Sequence, residues 1–563
     1  MLTIWGQRLD RQNVLPEYPR PQMRRDSCVI LNGIWQYAIT SSGECPEVWD
    51  GDIVVPFSPE SELSGVGRCL SAGEYLWYAR VFSLPEGFNA GRVLLHFGAV
   101  DQTAVVYING QEVKTHVGGY LPFTADITPA LRDGENALAV RVQDDTDGGF
   151  HTRGKQKRRR GGIWYTPQSG IWQTVWLESV PEAYIKRLFI TPVYDNGTVE
   201  IGAEVAGRIR PVAHFNGADY PLPARIPVPD FEPWSPENPK LYEFTVTCGD
   251  DEVASYFAMR KFSVEEDGSG TKRLFLNGRA YFQNGLLDQG YWPDGLYTPP
   301  SDEAMIHDIQ LARDMGFNLL RKHIKVEPAR WYYHCDRIGM LVWQDMPCGG
   351  GTYSPAVVSA PLLTGKHIKD SAYGLFGRGD KAGRDEFEQE LKDMVTTLYN
   401  CPCIAMWVPF NEGWGQFDAE RMCAVIRRID DTRTIDHASG WHDQRIGDIQ
   451  SLHVYFKKYA FKPDKLGRAV VLSEFGGYNH RVSGHCMSDK DFGYKKFESP
   501  LLLESALKEL YSQQIAPAIE RGLSAAVYTQ LADVEDELNG LVTYDRRVVK
   551  IPSKIIKSIV KVV

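Results

Sequence analysis

The stretch GFNLLRKHIKVEPARWYYHCDRIGMLVWQD, residues 316–345, decides the fold class of this chain. Two short apolar runs, Asn318–Arg321 and Leu341–Gln344, have the length of strands. They flank a helix candidate, Pro328–Ile338, whose proline suits the first helical turn. A strand, a helix and a second strand form the repeating unit of parallel α/β folds.

The same alternation continues to the end of the chain. The predicted strands are Ala280–Gln283, Asn318–Arg321, Leu341–Gln344, Ile404–Val408, Thr434–His437, Ile449–Val454, Val470–Ser473 and Ala525–Thr529. Eight strands separated by helices fit a (β/α)8 TIM barrel. A doubly wound sheet is the alternative, but it would be expected to carry a glycine-rich phosphate turn after an early strand, which the sequence lacks.

The first half of the chain has a different pattern. Residues 1–180 contain short apolar runs separated by turn dipeptides such as Asn109-Gly110, which predicts a jelly-roll β-sandwich. Residues 181–266 continue as short strands and suffice for an immunoglobulin-like β-sandwich. The predicted fold is therefore multidomain, with the jelly roll at 1–180, the immunoglobulin-like sandwich at 181–266 and the TIM barrel at 267–563.

Composition excludes several classes of protein. The 563 residues carry 62 basic and 72 acidic side chains, a balance that disfavours a nucleic-acid binder or a basic membrane-surface protein. The sequence has no apolar run long enough to span a bilayer and no secretion signal at its start. Ten cysteines without framework spacing predict free thiols and a cytoplasmic location.

Two predicted barrel strands end in a glutamate. Residues 406–414 read MWVPFNEGW and residues 470–477 read VVLSEFGG, which places Glu412 and Glu474 after strands 4 and 7. Two opposed carboxylates fit glycoside hydrolysis, because one must protonate the leaving oxygen while the other attacks or stabilises the anomeric carbon. A separation of about 5–5.5 Å would indicate retention and about 6.5–9.5 Å inversion. Asn411, beside Glu412, suits a hydrogen bond to a sugar hydroxyl.

These residues resemble glycoside hydrolase family 2, which includes β-galactosidases, β-mannosidases and β-glucuronidases. Asn411-Glu412 resembles the acid/base motif of the family, and Ser473-Glu474-Phe475-Gly476 resembles its nucleophile motif. Residues 316–323 and 335–342 are similar to its strand 2 to strand 3 region. Residues 31–35 and 170–173 resemble its sugar-binding-type jelly roll, so the resemblance covers nearly the whole chain.

The resemblance implies a retaining double displacement. Glu474 would attack the anomeric carbon, while Glu412 would first protonate the leaving group and then activate water. Arg321 resembles the arginine that keeps the nucleophile ionised, and Tyr455 resembles the tyrosine that bonds it. His323 is expected to donate to the substrate, and His453, two residues before Tyr455, would share its face of the strand.

Further substrate contacts follow from the same resemblance. They are Asp345 after strand 3, Trp441 and His442 after strand 5, Tyr528 near the end of strand 8, and Asp144 and Asp145 in a loop of the first domain. Relatives often carry a stacking tryptophan at the position of Tyr528. The basic run Arg153–Arg160 is predicted to be a solvated or interface loop, with capping of the pocket or attraction of acidic sugars as the alternative.

The resemblance favours an exo-acting, β-galactosidase-like enzyme that acts on a carbohydrate. β-Glucuronidase is the first alternative, although Asn539-Gly540-Leu541 lacks the lysine of the Asn-x-Lys element in glucuronidases of this family. β-Mannosidase, galactofuranosidase and arabinopyranosidase activities stay open. Candidates of other classes are a non-catalytic carbohydrate-binding protein and a metal-dependent hydrolase using His323, His437 and His453. The proposed chemistry needs no cofactor, and a structural Mg²⁺ or Na⁺ would leave little trace in sequence. Members of the family often form dimers or tetramers.

Overall fold

Two facing sheets form the first domain in a computed structural model that describes residues 1–561, apart from the side chain of Leu363. Its strands are β1 Cys28–Ile30, β2 Gly33–Thr40, β3 Gly51–Val55, β4 Tyr75–Ser83, β5 Arg92–Phe97, β6 Val100–Asp101, β7 Thr103–Ile108, β8 Gln111–Val117, β9 Phe123–Asp126, β10 Glu135–Gln143, β11 Gly170–Ile171 and β12 Val175–Val180. One sheet has the order β1-β12-β5-β9 and the other β3-β2-β4-β10-β7-β8. Alternate residues such as Trp35, Tyr78 and Val140 fill the space between the sheets, as the predicted jelly-roll sandwich requires.

A smaller sandwich follows. Its strands are β13 Tyr184–Val193, β14 Thr198–Ala206, β15 Val212–Phe215, β16 Ala218–Pro221, β17 Ala224–Pro227, β18 Tyr242–Cys248 and β19 Asp251–Phe257. They form the sheets β13-β14-β17 and β16-β15-β18-β19 around a separate apolar core. A three-stranded sheet of β20 Phe262–Glu266, β21 Lys272–Leu276 and β22 Arg279–Ala280 then leads into the barrel. The expected domain boundary at residue 266 falls within this small sheet.

Eight parallel strands form the barrel. They are β23 Gln283–Asp288, β24 Leu319–Lys322, β25 Leu341–Asp345, β26 Ile404–Val408, β27 Thr434–Ile435, β28 Ile449–Val454, β29 Ala469–Gly476 and β32 Leu523–Thr529; the short pair β30 Tyr478–Asn479 and β31 Lys495–Lys496 lies outside it. The strands pair in the order β27-β26-β25-β24-β23-β32-β29-β28, so the cylinder is open only between the fifth and sixth strands of the described chain. The predicted TIM barrel is confirmed.

The first barrel strand lies later in the chain than the sequence predicts. The prediction was Ala280–Gln283, but the strand is β23. The apolar run in β21 pairs antiparallel with β20 and β22 and covers the barrel beside β29 and β32. That prediction was wrong because Ala280–Gln283 joins the end of β22, which pairs antiparallel with β21, to the first residue of β23, and only the pairing separates the two short strands.

Helices fill the connections between the barrel strands. They are α1 Asp302–Asp314, α2 Ala329–Ile338, α3 Pro355–Val358, α4 Ala360–Thr364, α5 Lys381–Leu398, α6 Ala419–Ile429, α7 Pro500–Leu510, α8 Ala516–Arg521 and α9 Ser553–Val560. The Ser301 side chain caps α1 by accepting a hydrogen bond from the Ala304 amide, and Asp380 caps α5 in the same way. None of the helices in residues 1–561 is long and apolar enough to cross a bilayer.

Candidate active site

Glu412 and Glu474 meet at the C-terminal end of the barrel. Glu412 lies in the turn after β26, and Glu474 lies in β29. His453 of β28 stands between them, with Nδ1 2.8 Å from Glu412 Oε1 and 3.4 Å from Glu474 Oε2. One oxygen of each carboxylate and a ring nitrogen of His453 all lie within 4.8 Å of one another. Glu412 and Glu474, which the sequence places after two different barrel strands, therefore share one small site.

The turn that carries Glu412 is tightly held. The Glu412 amide donates to Ser439 O at 2.9 Å, and the Trp414 amide donates to Asn411 O at 3.0 Å. Glu412 has a φ of 52°, a left-handed conformation that costs a non-glycine residue about 1 kcal/mol. A Cβ added at Gly413 would lie 2.5 Å from the His442 ring, so the chain runs close to the next loop. This backbone aims the Glu412 carboxylate into the barrel mouth at the expense of local strain.

Arg321 organises the nucleophile side of the site. The side chain is fully buried at the end of β24. Its Nη1 donates to Glu474 Oε1 at 3.1 Å, and its Nε and Nη2 donate to the two oxygens of Asp345 at 3.0 Å each. Burial raises the pKa of Glu474, but the neighbouring basic groups of His453 and Arg321 outweigh burial and lower this pKa to about 2. Glu474 is thus ionised at any physiological pH.

Tyr455 bonds the second oxygen of Glu474. Its hydroxyl donates to Glu474 Oε2 at 2.5 Å and also lies 2.9 Å from Thr529 Oγ1. Tyr494 stacks on Tyr455 with ring centroids 3.7 Å apart and holds the ring in place. Sequence reasoning missed Tyr494, because it lies in a polar loop that carries no strand pattern. With Arg321 on one oxygen and Tyr455 on the other, Glu474 is fixed in orientation.

Only one of the two polar side-chain atoms of Asn411 has a hydrogen-bond partner in the described chain. Its Oδ1 accepts a hydrogen bond from Arg321 Nη2 at 2.8 Å. Its Nδ2 is buried and has no hydrogen-bond partner in the described chain. A buried donor without a partner is uncommon and calls for an explanation, such as an acceptor on a bound ligand. Asn411 therefore offers an amide donor beside Glu412.

His323 and Asp345 support the site from below. His323 Nδ1 lies 2.8 Å from Asp345 Oδ2, and burial lowers the pKa of His323 well below its usual value. A neutral His323 that donates through Nδ1 presents Nε2 as an acceptor. Both oxygens of Asp345 are engaged by Arg321 and His323, so its observed contacts orient these two side chains.

The structure separates three further residues that were predicted to contact substrate, which are Trp441, His442 and Tyr528. Only one of them lies beside the paired glutamates. Trp441 is near the glutamates, with its ring centroid 6.3 Å from that of His453. His442 packs behind the Glu412 turn against Gly413, and its ring nitrogens bond to the backbone of Ile368 and Val357 in the connection after β25. Tyr528 is fully buried, and its ring packs edge-on against Phe475 in the barrel core. The structure therefore brings only Trp441 of these three to the site.

Asp144 and Asp145 stay within the first domain. Asp144 accepts hydrogen bonds from Ser169 Oγ at 2.8 Å and from the Thr146 amide at 2.6 Å. Asp145 is largely exposed and lies 4.0 Å from Arg158. Neither aspartate has a recorded contact with Glu412 or Glu474 in residues 1–561.

The basic run of the first domain lies across the barrel mouth instead. Arg153 Nη1 donates to Gly350 O, in the loop after β25, at 2.6 Å. At the other end, Arg160 Nη1 pairs with Glu535 Oε2 at 3.0 Å, and the Tyr165 hydroxyl donates to Glu537, both in the loop after β32. We call residues 151–165 the bridging loop. It runs from the loop after the third strand to the loop after the eighth, so the basic run forms part of an interface between the first domain and the barrel.

The histidines do not assemble as a metal centre would require. Among the described residues, the one group with metal-ligand spacing is Glu412, His453 and Glu474, whose members already bond one another. His437 bonds to the Gln444 amide at 3.1 Å and to Asp443 at 3.1 Å, and it does not join the group.

Two family models match the chain. Residues 70–181 match "Glycosyl hydrolases family 2, sugar binding domain", and residues 299–480 match "Glycosyl hydrolases family 2, TIM barrel domain". Together the two models cover more than half of the chain, in the order found along it.

Similar proteins include enzymes of two sugar classes. A β-galactosidase of Thermoanaerobacter pseudethanolicus is 25% identical over 389 residues, which are 63% of this chain and 47% of that enzyme. The chain spans about half the length of the curated relatives it matches. Among solved structures, a β-glucuronidase from an uncultured Clostridium sp. has a TM-score of 0.74 at 19% identity, with 95% of this chain and 98% of that chain covered. A β-galacturonidase from Eisenbergiella tayi bound to galacturonate has a TM-score of 0.72 at 20% identity, with 98% and 99% covered.

Proposed function

The chain belongs to glycoside hydrolase family 2, and we propose that it is a retaining, exo-acting β-glycosidase. The observation that carries this proposal is the pair Glu412 and Glu474, with one oxygen of each within 4.8 Å of the other. Carboxyl groups about 5–5.5 Å apart leave room for a covalent intermediate, whereas inverting enzymes need about 6.5–9.5 Å for a water molecule. The spacing therefore supports retention.

The environments of the two carboxylates support different roles. Glu474 is bonded by Arg321 and Tyr455, which keep it ionised and oriented for attack on the anomeric carbon. Glu412 bonds to His453 and receives no arginine in the described structure, and this difference from Glu474 supports the acid/base role for Glu412.

The reaction then proceeds in two steps. Glu474 forms a bond to the anomeric carbon while the glycosidic bond breaks, and the Glu412 proton passes to the departing oxygen. Glu412, now ionised, takes a proton from water as the water oxygen attacks the same carbon and releases Glu474. The free Nδ2 of Asn411 would donate to the hydroxyl beside the reacting carbon and stabilise the charge that develops there.

The bridging loop supports exo action. It connects the loops after β25 and β32, and Glu412 and Glu474 are only 7% and 4% exposed, which fits a restricted pocket better than an open groove. A restricted pocket accepts the end of a sugar chain, whereas internal cleavage needs a cleft that is open on both sides. A non-catalytic carbohydrate-binding role is the candidate from another class, and the retention of both carboxylates in working geometry argues against it.

Two sugar classes fit this chemistry, terminal β-galactosides and β-uronides. Similarity to β-galactosidases supports the first, and the fold shared with uronidases supports the second. The ten free cysteines favour a reducing, cytoplasmic location.

The stereochemistry of hydrolysis tests the proposed function. A panel of nitrophenyl α- and β-glycosides, including uronides and furanosides, identifies the substrate that is turned over. Proton NMR of that reaction should then show the β-anomer as the first product, before mutarotation. First release of the α-anomer, or turnover of α-glycosides alone, would contradict a retaining β-glycosidase.

Arg321→Gln should move the acid limb of the pH profile. Without the guanidinium, the pKa of Glu474 rises from its value of about 2, by about 1–3 units for the loss of one adjacent cation. Because the nucleophile must be ionised, kcat/KM should then fall as the pH decreases through this higher pKa, a fall that wild type does not show. The measurement is kcat/KM between pH 3 and 7. Arg428→Gln, at an exposed position of α6, is the matched control. An unchanged acid limb in Arg321→Gln would remove Arg321 from this role.

A further inference from the structure

Lys155 is a buried cation within the bridging loop. The residue is only 6% exposed. The Tyr165 amide donates to Lys155 O at 2.8 Å, and the neighbouring Gly154 amide donates to the Tyr120 hydroxyl at 2.7 Å. A Cβ added at Gly154 would lie 2.0 Å from the Tyr297 hydroxyl, so this part of the loop packs directly against the barrel. The backbone of Lys155 is thus held in place over the mouth.

The ammonium of Lys155 lacks the partner that other buried lysines have. Lys322 Nζ lies 2.6 Å from Asp288, and Lys325 Nζ lies 2.9 Å from Glu327. Lys550 Nζ likewise lies 2.7 Å from Asp533. In residues 1–561, Lys155 Nζ has no hydrogen bond and no ion pair, and its recorded contact is the Tyr165 ring at 5.7 Å. The Nζ atom itself keeps contact with solvent, so an anion supplied from outside the chain can reach this unpaired ammonium.

Lys155 also lies on the side of the pocket where the sugar must bind. Its positive charge contributes to lowering the pKa of both Glu474 and His323, although neither lies within ion-pair distance of it. The two residues before it contact the loops after β24 and β25: a Cβ added at Gly154 would lie 3.1 Å from Ile324 O, and Arg153 Nη1 donates to Gly350 O. An anion bound by Lys155 would therefore belong to the sugar that Glu474 attacks.

We propose that Lys155 binds an anionic substituent, a carboxylate or a sulfate ester, of the sugar held in this pocket, and so makes acidic β-glycosides the preferred substrate class. This inference rests on the proposed function, because it concerns the same site. A charge-assisted hydrogen bond in a buried site is stronger than a neutral one, and it distinguishes an acidic sugar from its neutral counterpart. The specificity residue then comes from the first domain, which would explain why the basic run crosses the mouth.

The test compares acidic and neutral nitrophenyl β-glycosides with wild type and Lys155→Met. The acidic arms are the glucuronide and galacturonide for a carboxylate and the 6-sulfo-galactoside for a sulfate, and the neutral arms are the glucoside and galactoside. Wild type should prefer at least one acidic arm, and Lys155→Met should lower that ratio of kcat/KM values about 100-fold. Lys155→Arg should restore part of the ratio. Arg159→Met removes the same charge from an exposed position of the loop and should leave the ratio unchanged.

Direct binding separates failure of the inference from failure of the proposed function. Calorimetry with Glu474→Gln protein, with and without Lys155→Met, measures affinity for the intact glycosides without turnover. The role of Lys155 would be overturned if Lys155→Met keeps the same ratio of acidic to neutral substrate, in kcat/KM or in affinity, as the protein that retains Lys155. Equal losses on acidic and neutral substrates would count as this result. Acid-selective binding that depends on Lys155, without hydrolysis by wild type, would support Lys155 and overturn the glycosidase. Melting temperatures of all variants check that each one folds.

Discussion

Glu474→Gln should lower kcat by about 10⁴–10⁶-fold, because a carboxamide cannot form the glycosyl ester that carries the first step. The substitution preserves shape and leaves one oxygen, which can accept from Arg321 or from Tyr455, while the amide nitrogen takes the place of the other oxygen. The fold should therefore survive, and substrate should still bind. The measurement is kcat on the best nitrophenyl β-glycoside, together with the melting temperature of the variant.

The matched control for this prediction is Glu498→Gln, at an exposed position of the loop before α7. It makes the same chemical change away from the pocket, and its rate should equal that of wild type. Mass spectrometry of wild type with a slowly hydrolysed 2-fluoro glycoside should also show a sugar attached to the peptide that contains Glu474. Attachment elsewhere, or a Glu474→Gln rate within tenfold of wild type, would rule out Glu474 as the nucleophile.

Glu412→Ala should give an effect that depends on the leaving group. Glycosides with poor leaving groups need the proton, so their kcat/KM should fall by about 10²–10⁴-fold. Dinitrophenyl glycosides depart without protonation, so their first step should be nearly unaffected. Deglycosylation, which needs Glu412 as a base, should then limit their turnover.

Azide provides an independent reading of the same variant. The space left by the Glu412 side chain admits this small anion, which can attack the glycosyl-enzyme without a base and release a β-glycosyl azide. Faster turnover of dinitrophenyl glycosides with azide is expected for Glu412→Ala and not for Glu498→Ala. Equal losses on good and poor leaving groups, with no response to azide, would show that Glu412 is not the acid/base.

Most of the site could be predicted because strand ends are a local signal. Glu412 and Glu474 each follow a short apolar run, and in a barrel such runs bring their ends to one face. Arg321, near the end of β24, was a candidate because it resembles the family's arginine beside the nucleophile. The first strand was misplaced because Ala280–Gln283 spans the end of β22 and the start of β23, and only strand pairing shows that the first belongs to a hairpin and the second to the barrel.

Positions in loops were harder to predict. Asp144 and Asp145 were expected at the pocket, but their contacts lie within the first domain, and the bridging loop that follows them reaches the pocket. Tyr494 and the unpaired ammonium of Lys155 carry no periodic pattern. Their positions depend on contacts between segments far apart in the chain.

The amino-acid sequence by itself determined the order of the domains, the barrel and the identity of the paired glutamates, because strand periodicity and strand-end residues are properties of neighbouring positions. Only the tertiary structure decided that Arg321 and Tyr455 bond one glutamate and not the other, and that Lys155, a mostly buried residue, has no counter-ion among the described residues. Partnership and burial arise when remote segments pack together, and no local pattern encodes which polar group is left without a partner.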